Sequence, residues 1–383
     1  MQFDHLHKTI WYLINMHHIA HHKIPLPGIP GILSKFPACR KVGKRTLTST
    51  MRACQITEQG GDAKSLKISQ VPIPDPGPGE ILVRNKAAGL NFIDCYHRSG
   101  LYPRITPFIL GVEGAGTIEK VGANVNVGEF FMETRNAQFK GDLIGTRVGY
   151  YGTNTYSEFT VVPYEQAFPV SSELSWNSIV AMVTQGLTAH YLTRSTYKLG
   201  PDDWCLIHAC AGGTGQSLVQ MAKICGSKVI GTCSSTKVDI ARSLGVDYCI
   251  DYSDTATKVK EITDGKGVQV VYDGVGASTW EMTLDSLCPR GLAVFFGNAS
   301  GPVPSIDPLI LNSKGSLYMT RPKLYDYLAD RKELMWRVNQ VMDWMETGKL
   351  HVNIDKTFKL EDAAQAHEYI ESGLTRGKVI ITI

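Results

Sequence analysis

The run Cys210-Ala211-Gly212-Gly213-Thr214-Gly215 constrains this chain more than any other feature. It closes an apolar, strand-like stretch at 204–209 and opens a helix-like one at 216–225. A glycine-rich turn in that setting marks the first βα corner of a parallel sheet that binds a dinucleotide. Gly212 lets the backbone approach a pyrophosphate, Gly215 lets the helix pack close on the strand, and the free N–H groups of the helix start favour an anion. Cys210 replaces the first glycine of G-x-G-x-x-G, while Ala209, Gly212 and Gly215 keep the spacing.

The flanks support that corner. Strand-like runs recur at 228–233, 248–251, 268–275 and 292–296, with helical stretches such as 237–244 between them, which predicts βαβ units. Upstream, 53–171 holds short β-runs broken by Gly and Pro, as at 81–84, 116–121 and 158–162, and reads as a β-rich domain. Its proline-rich stretch at 71–80 is expected to be an extended surface loop. After 330, a helix at 333–346, a strand-like 351–354, a helix at 363–370 and a terminal strand at 378–383 are expected to return to the β-rich domain. The expected architecture is α/β: a doubly wound, Rossmann-type parallel sheet over 176–325, and a discontinuous β-rich domain over 51–175 and 326–383.

Composition excludes several classes. A net charge of +3, with 39 Lys/Arg interleaved among 36 acids, leaves no basic stripe for a phosphate backbone, so nucleic acid is not expected. The nine cysteines form no C-x-x-C pair, which indicates neither a disulfide framework nor a zinc knuckle and fits a reducing compartment. No apolar run reaches the 18 residues of a membrane span.

Residues 1–50 differ from the rest, with six of the eleven histidines, seven Lys/Arg and one acid, Asp4. Two readings stay open: an organelle transit peptide, placing the protein in mitochondria, or an unstructured extension ahead of Met51, leaving it cytoplasmic. His17-His18 and His21-His22 share a helical spacing, but no carboxylate or cysteine joins them, so no metal site is expected.

The cofactor type is decided about 20 residues past the turn, where an NAD site needs an acid for the ribose hydroxyls. Here the strand ends Gly231-Thr232-Cys233-Ser234-Ser235-Thr236-Lys237, offering hydroxyls and an ammonium and no acid. That pattern suits the 2′-phosphate of NADPH.

At this point the chain resembles the medium-chain dehydrogenases/reductases, specifically the zinc-free, ζ-crystallin-like quinone oxidoreductases. The resemblance spans residues 51–383 and rests on Asn91-Phe92-Ile93-Asp94-Cys95-Tyr96-His97-Arg98-Ser99-Gly100-Leu101-Tyr102-Pro103, Gln185-Gly186-Leu187-Thr188-Ala189-His190-Tyr191-Leu192, the glycine turn, and Phe296-Gly297-Asn298-Ala299-Ser300-Gly301. Lys314-Gly315-Ser316-Leu317-Tyr318-Met319-Thr320-Arg321-Pro322 looks more like the quinone reductases than their enoyl relatives. The resemblance implies a GroES-like fold for the β-rich domain. It also implies that Asn91, Tyr96 and Tyr102 line the nicotinamide and quinone cleft, with Thr188 near the nicotinamide. Gly212, Gly213, Thr214 and Gly215 would hold the pyrophosphate, and Ser235, Lys237 and Tyr252 the 2′-phosphate. Phe296, Gly297, Asn298 and Ser300 would cover the nicotinamide end. Core packing for Tyr96, Tyr102 and Phe296, and turn capping for Asn91 and Asn298, are the structural alternatives.

Zinc-dependent relatives carry a Gly-His-Glu where this chain has Gly111-Val112-Glu113, and an early metal-binding Cys where it has Leu90-Asn91-Phe92, so no metal is expected. Three departures stand out: Cys210, an oxidation target in the turn; a stretch at 127–142 about ten residues longer than usual before Gly145-Thr146-Arg147-Val148; and Gly373 where relatives have an arginine, with Arg376 as its substitute. Three functions follow: an NADPH-dependent quinone reductase, an NADPH-dependent reductase of α,β-unsaturated carbonyls, or a non-catalytic NADPH-binding structural or RNA-binding protein. Relatives associate as homodimers through the sheet edge, which would place 292–296 and 316–320 at an interface.

Overall fold

A computed structural model describes residues 49–131 and 142–383. The leader histidines and residues 132–141 of the lengthened stretch at 127–142 therefore lie outside the described residues. The β-rich half contributes β1 (Thr50–Ile56), β2 (Lys67–Pro72), β3 (Glu80–Leu90), β4 (Phe108–Ile109), β5 (Glu113–Val121), β6 (Arg147–Tyr151), β7 (Phe159–Pro163) and β8 (Ala167–Pro169). β2, β1 and β4 form a small sheet of their own. β3 anchors a larger one, pairing antiparallel with β5 and β7, because Ile81, Val83 and Ile118 bury against Val148 and Tyr150. Val71 and Pro72, expected in the loop, belong instead to β2; Pro72 sits at the strand's last position, where its missing N–H costs no ladder bond.

The nucleotide half contributes β9 (Trp204–Ile207), β10 (Lys228–Thr232), β11 (Tyr248–Ile250), β12 (Val268–Asp273), β13 (Leu287–Phe295) and β14 (Tyr318–Thr320). They run parallel in the order β11-β10-β9-β12-β13-β14. Cys205, Leu206 and Ile207, like Val270, Val271 and Tyr272, are fully buried, as strands covered on both faces require. The strand order reverses between β9 and β12, and at such a switch point the strand ends open a crevice.

The chain then adds β15 (Ile354–Lys359) and β16 (Lys378–Thr382) to the large sheet of the β-rich half, β16 antiparallel to β3 and β15 parallel to β16. The expected strand at 351–354 is displaced to Ile354–Lys359. His351 N donates to Gln220 Oε1 (2.8 Å) and Asn353 O accepts from Lys378 N (2.7 Å), so 351–353 serve as a bridge. β15 is an edge strand with one partner and tolerates lysines, which hid it from an apolar pattern. Among the described residues no helix is long and apolar enough to cross a membrane.

Candidate active site

The glycine turn joins β9 to the helix Gly213–Ile224. The first bond of that helix runs from Gln216 N to Gly212 O (2.8 Å), so the amides of Gly213, Thr214 and Gly215 precede the ladder. A Cβ on Gly215 would stand 2.2 Å from Ala209 O, and one on Gly213 would stand 2.1 Å from Gln185 Nε2. Gly215 is therefore closed to any side chain by backbone, whereas at Gly213 the Gln185 amide would have to move aside. A Cβ on Gly212 would meet only Ala209 O, at 3.2 Å, so its bareness matters on the open side.

That open side is a largely apolar cavity of about 520 Å³ at the strand ends. It gathers Asn91, Tyr96, Tyr102, Thr188, Gly212, Gly213, Thr214, Gly215, Phe296 and Gly297 onto one wall system. Thr188 arrives on the helix Leu187–Tyr191, which follows a π-helical segment, Met182–Gly186, that delivers Thr184 and Gln185 to the same cavity. Thr184 Oγ1 and His208 Nε2 are buried on this wall without a partner among the described residues, as expected of atoms awaiting a ligand.

At one end two phenols converge. Tyr96 and Tyr102 meet edge to face at 5.2 Å. Tyr96 OH accepts from Asn298 N (3.1 Å), and Tyr102 OH accepts from Asn298 Nδ2 (2.9 Å) and Arg321 Nη2 (3.1 Å). Each phenol is thus oriented through its lone pairs, leaving its own proton to donate into the cavity. Burial pushes the Tyr96 hydroxyl up to about 12, so it keeps that proton at neutral pH. Asn298 is not on the cavity wall; it stands behind the tyrosines and sets them. Arg321 does line the cavity, and its place in the distinctive stretch 314–322 was the one signal for it.

Asn91 is a brace as well as a wall residue. Its Nδ2 donates to Glu113 Oε1 (2.6 Å) and its Oδ1 accepts from Lys378 Nζ (2.8 Å). Glu113 and Lys378 pair directly and are 0% and 1% exposed. Glu113 Oε2 also takes the Thr184 amide (2.6 Å), so one carboxylate ties β5, β16, the Asn91 loop and the π-helical segment. Gly89 must be bare beside it, since a Cβ there would lie 1.9 Å from Glu113 Oε1. Below, Asp94 accepts from Asn91 N (2.9 Å), and burial raises its carboxyl to about 7.

Past the end of β10 lies a basic corner. Lys237 Nζ donates to Gly373 O (2.6 Å) and Arg376 Nη1 to Thr236 O (3.1 Å), so two cations flank the exposed Ser235. The Tyr252 hydroxyl takes the amide of Ala209 (3.0 Å) and so supports the glycine turn from behind. Ser300 is likewise occupied, donating to Val275 O (2.9 Å) and accepting from Ser278 N (3.0 Å), which makes it a turn brace off the cavity wall.

The family model for the alcohol dehydrogenase GroES-like domain matches residues 77–172, and that for the zinc-binding dehydrogenases matches 244–381. A quinone oxidoreductase of Pseudomonas aeruginosa is 42% identical over 312 residues, covering 80% of this chain and 92% of that one. This chain belongs to the quinone oxidoreductase family of the medium-chain dehydrogenases/reductases. The crystal structure of Escherichia coli quinone oxidoreductase complexed with NADPH superposes with a TM-score of 0.80 at 38% identity, covering 87% of this chain and 100% of that one. A 2-haloacrylate reductase of Burkholderia sp. is 37% identical over 324 residues, 82% of this chain and 93% of that one.

In this quinone oxidoreductase family member the position of the zinc-dependent relatives' histidine, Val112, lines the cavity as an apolar wall. Among the described residues, one group of three side chains has its donor atoms close enough to share a metal ion: Cys210, Cys233 and Cys249. None of them lines the cavity. Separations of 23 and 16 residues gave no motif that sequence reading could recognise.

Proposed function

We propose that this protein is an NADPH-dependent quinone reductase that works without a metal. The observation that carries the reading is the cavity itself, which places a bare glycine turn and two proton-bearing phenols on walls of one apolar space. The amides of Gly213, Thr214 and Gly215 suit a pyrophosphate, and Lys237, Arg376 and Ser235 suit a 2′-phosphate. Thr188, Phe296 and Gly297 would hold the nicotinamide end. When bound, NADPH supplies hydride to a substrate that is already electrophilic. Tyr96 and Tyr102 would donate hydrogen bonds to the oxygen that gains charge, and the apolar walls exclude water from the pair. Solvent delivers the proton that completes the hydroquinone.

The test is NADPH oxidation with 1,2- and 1,4-quinones against enals. Quinones should turn over faster, and the double variant Tyr96→Phe/Tyr102→Phe should lose about 10- to 100-fold in kcat at unchanged KM for NADPH. Faster turnover of enals would favour the second reading, a reductase of α,β-unsaturated carbonyls, which the similarity to a 2-haloacrylate reductase supports. No turnover with either class would leave the non-catalytic reading.

We assign 51–175 and 326–383 to the GroES-like catalytic domain and 176–325 to the nucleotide domain. A homodimer would form across the exposed edge strand β14, whose Tyr318 and Met319 are 63% and 43% exposed. β13 already has neighbours on both sides, so 292–296 would contribute side chains only. Import with cleavage of 1–50 would place the enzyme in mitochondria, and its absence in the cytoplasm.

A further inference from the structure

The three clustered thiols lie in the glycine turn, just past β10 and on β11, and none of them lines the cavity. Their sulfurs all fall within 4.8 Å of one another, and Cys233 Sγ is 3.4 Å from Cys249 Sγ. Cys210 is locked in place: its amide donates to Thr232 O (3.0 Å), and its sulfur fills the space that a side chain on Gly231 would need, 2.6 Å from where that Cβ would be. Cys210 and Cys233 are buried, whereas Cys249 is half-buried on β11, the free edge of the parallel sheet. The least buried residue of the three thus has its sulfur in direct contact with that of a buried one. Hydrogen bonding from Cys210, helped by Cys233 and the charge of Arg242, draws the Cys249 thiol down to about 6, while bonding within the cluster keeps Cys210 protonated.

We propose that Cys233 and Cys249 are a hydroperoxide-oxidised thiol pair, Cys249 attacking and Cys233 resolving, that closes to a disulfide at the base of the nucleotide corner. In the first step the Cys249 thiolate attacks the terminal oxygen of a hydroperoxide; the O–O bond breaks, alkoxide or hydroxide leaves, and the sulfur becomes a sulfenic acid. In the second, the Cys233 sulfur attacks that of Cys249, the S–O bond breaks, and water leaves with the thiol proton. Two thiols and one hydroperoxide thus yield one disulfide, one alcohol or water, and one further water. Cys210 stays reduced, because the direct sulfur–sulfur contact is the one between Cys233 and Cys249.

The bond has a consequence for the site. Closing a 3.4 Å contact to a bond of about 2.05 Å draws β11 and the end of β10 together. Cys233 directly precedes Ser234-Ser235-Thr236-Lys237, and Tyr252, three residues past Cys249, holds the Ala209 amide. The disulfide therefore pulls on both the basic corner and the support of the glycine turn. This consequence rests on the nucleotide reading above, whereas the disulfide does not.

The experiment treats the full chain with a few equivalents of hydrogen peroxide, alkylates the remaining thiols and maps peptides without reduction. The expected result is a loss of two hydrogens, a cross-link between the Cys233 and Cys249 peptides, full reversal by dithiothreitol, and no cross-link in Cys249→Ser, which keeps its basal activity. In the same samples KM for NADPH should rise about threefold or more with kcat little changed, a modest loss of binding. Free, alkylatable Cys233 and Cys249 after peroxide would overturn the proposal, as would an equal cross-link involving Cys210. Stoichiometric zinc carried by the purified protein and lost in Cys249→Ser would overturn it in favour of a metal site. If NADPH is not used at all, the cross-link still decides the thiol proposal by itself.

Discussion

The two ends of the cavity are built from different materials. The glycine-turn end is backbone: three amides ahead of a helical ladder, with a side chain excluded at Gly215 by the Ala209 carbonyl at 2.2 Å. The opposite end is side chain: Tyr96 and Tyr102 set by Asn298 and Arg321, and Asn91 set by a buried ion pair. A backbone wall needs only a local run of small residues and the right flanking elements. A side-chain wall needs partners from distant segments, each satisfied, in a medium where an unpaired charge is costly. The side-chain end should therefore be the fragile one, toward both mutation and pH.

The largest effect should come from breaking that pairing. Glu113→Gln leaves the Lys378 ammonium buried and uncompensated, and removal of one partner of a buried pair costs about 3–5 kcal/mol. Chemical denaturation should show that loss, with released positioning of Asn91 and Thr184 lowering activity in the fraction that stays folded. Unchanged stability would mean that the ion pair does not hold this end together.

A smaller effect is carried by Asp94, and its sign can be worked out. The ordinary aspartate value is ~3.9, while burial holds Asp94 at about 7. Between those values the folded chain keeps a proton that the unfolded chain has lost. Unfolding then releases a proton, so this group's contribution makes stability fall as pH rises from about 4 to about 7. Asp94→Asn keeps an acceptor for the Asn91 amide and cannot ionise. Relative to the parent, its stability should gain on the order of 2 kcal/mol between pH 5 and pH 8. A parallel pH profile for the two proteins would show that Asp94 is ionised in the fold.

The same contrast explains what could be read from the sequence. The glycine turn, the parallel strands and the acid-free end of β10 are contiguous patterns, and each local run carries its own physical reason. The family motif also led to Tyr96 and Tyr102, because they share one stretch. Glu113 and Lys378 are 265 positions apart, and no spacing connects them. What the hydroxyls of Tyr252 and Ser300 do inside the fold is equally hidden from sequence: the first takes the Ala209 amide, and the second both accepts from and donates to backbone. The three sulfurs escaped for a similar reason: they sit on a turn, just past the end of β10 and on β11, so only the parallel pairing of β10 with β11 brings them together.

The smallest effect tests where the backbone end hands over to side chains. Lys237 and Arg376 sit at the rim, each already donating to a loop carbonyl, and burial together with the Arg376 charge lowers the Lys237 ammonium. An incoming phosphate would gain from both cations, and either alone retains part of the attraction. Removing one charge-assisted hydrogen bond at an exposed, screened rim is worth about one factor of ten. Lys237→Ala should accordingly lower the NADPH-over-NADH preference in kcat/KM about tenfold and leave NADH turnover unchanged, because the amides of the glycine turn do not sense the 2′-position. If the preference is unchanged and NADH serves at least as well, the corner past β10 does not read the phosphate, and cofactor choice must lie within the backbone wall itself.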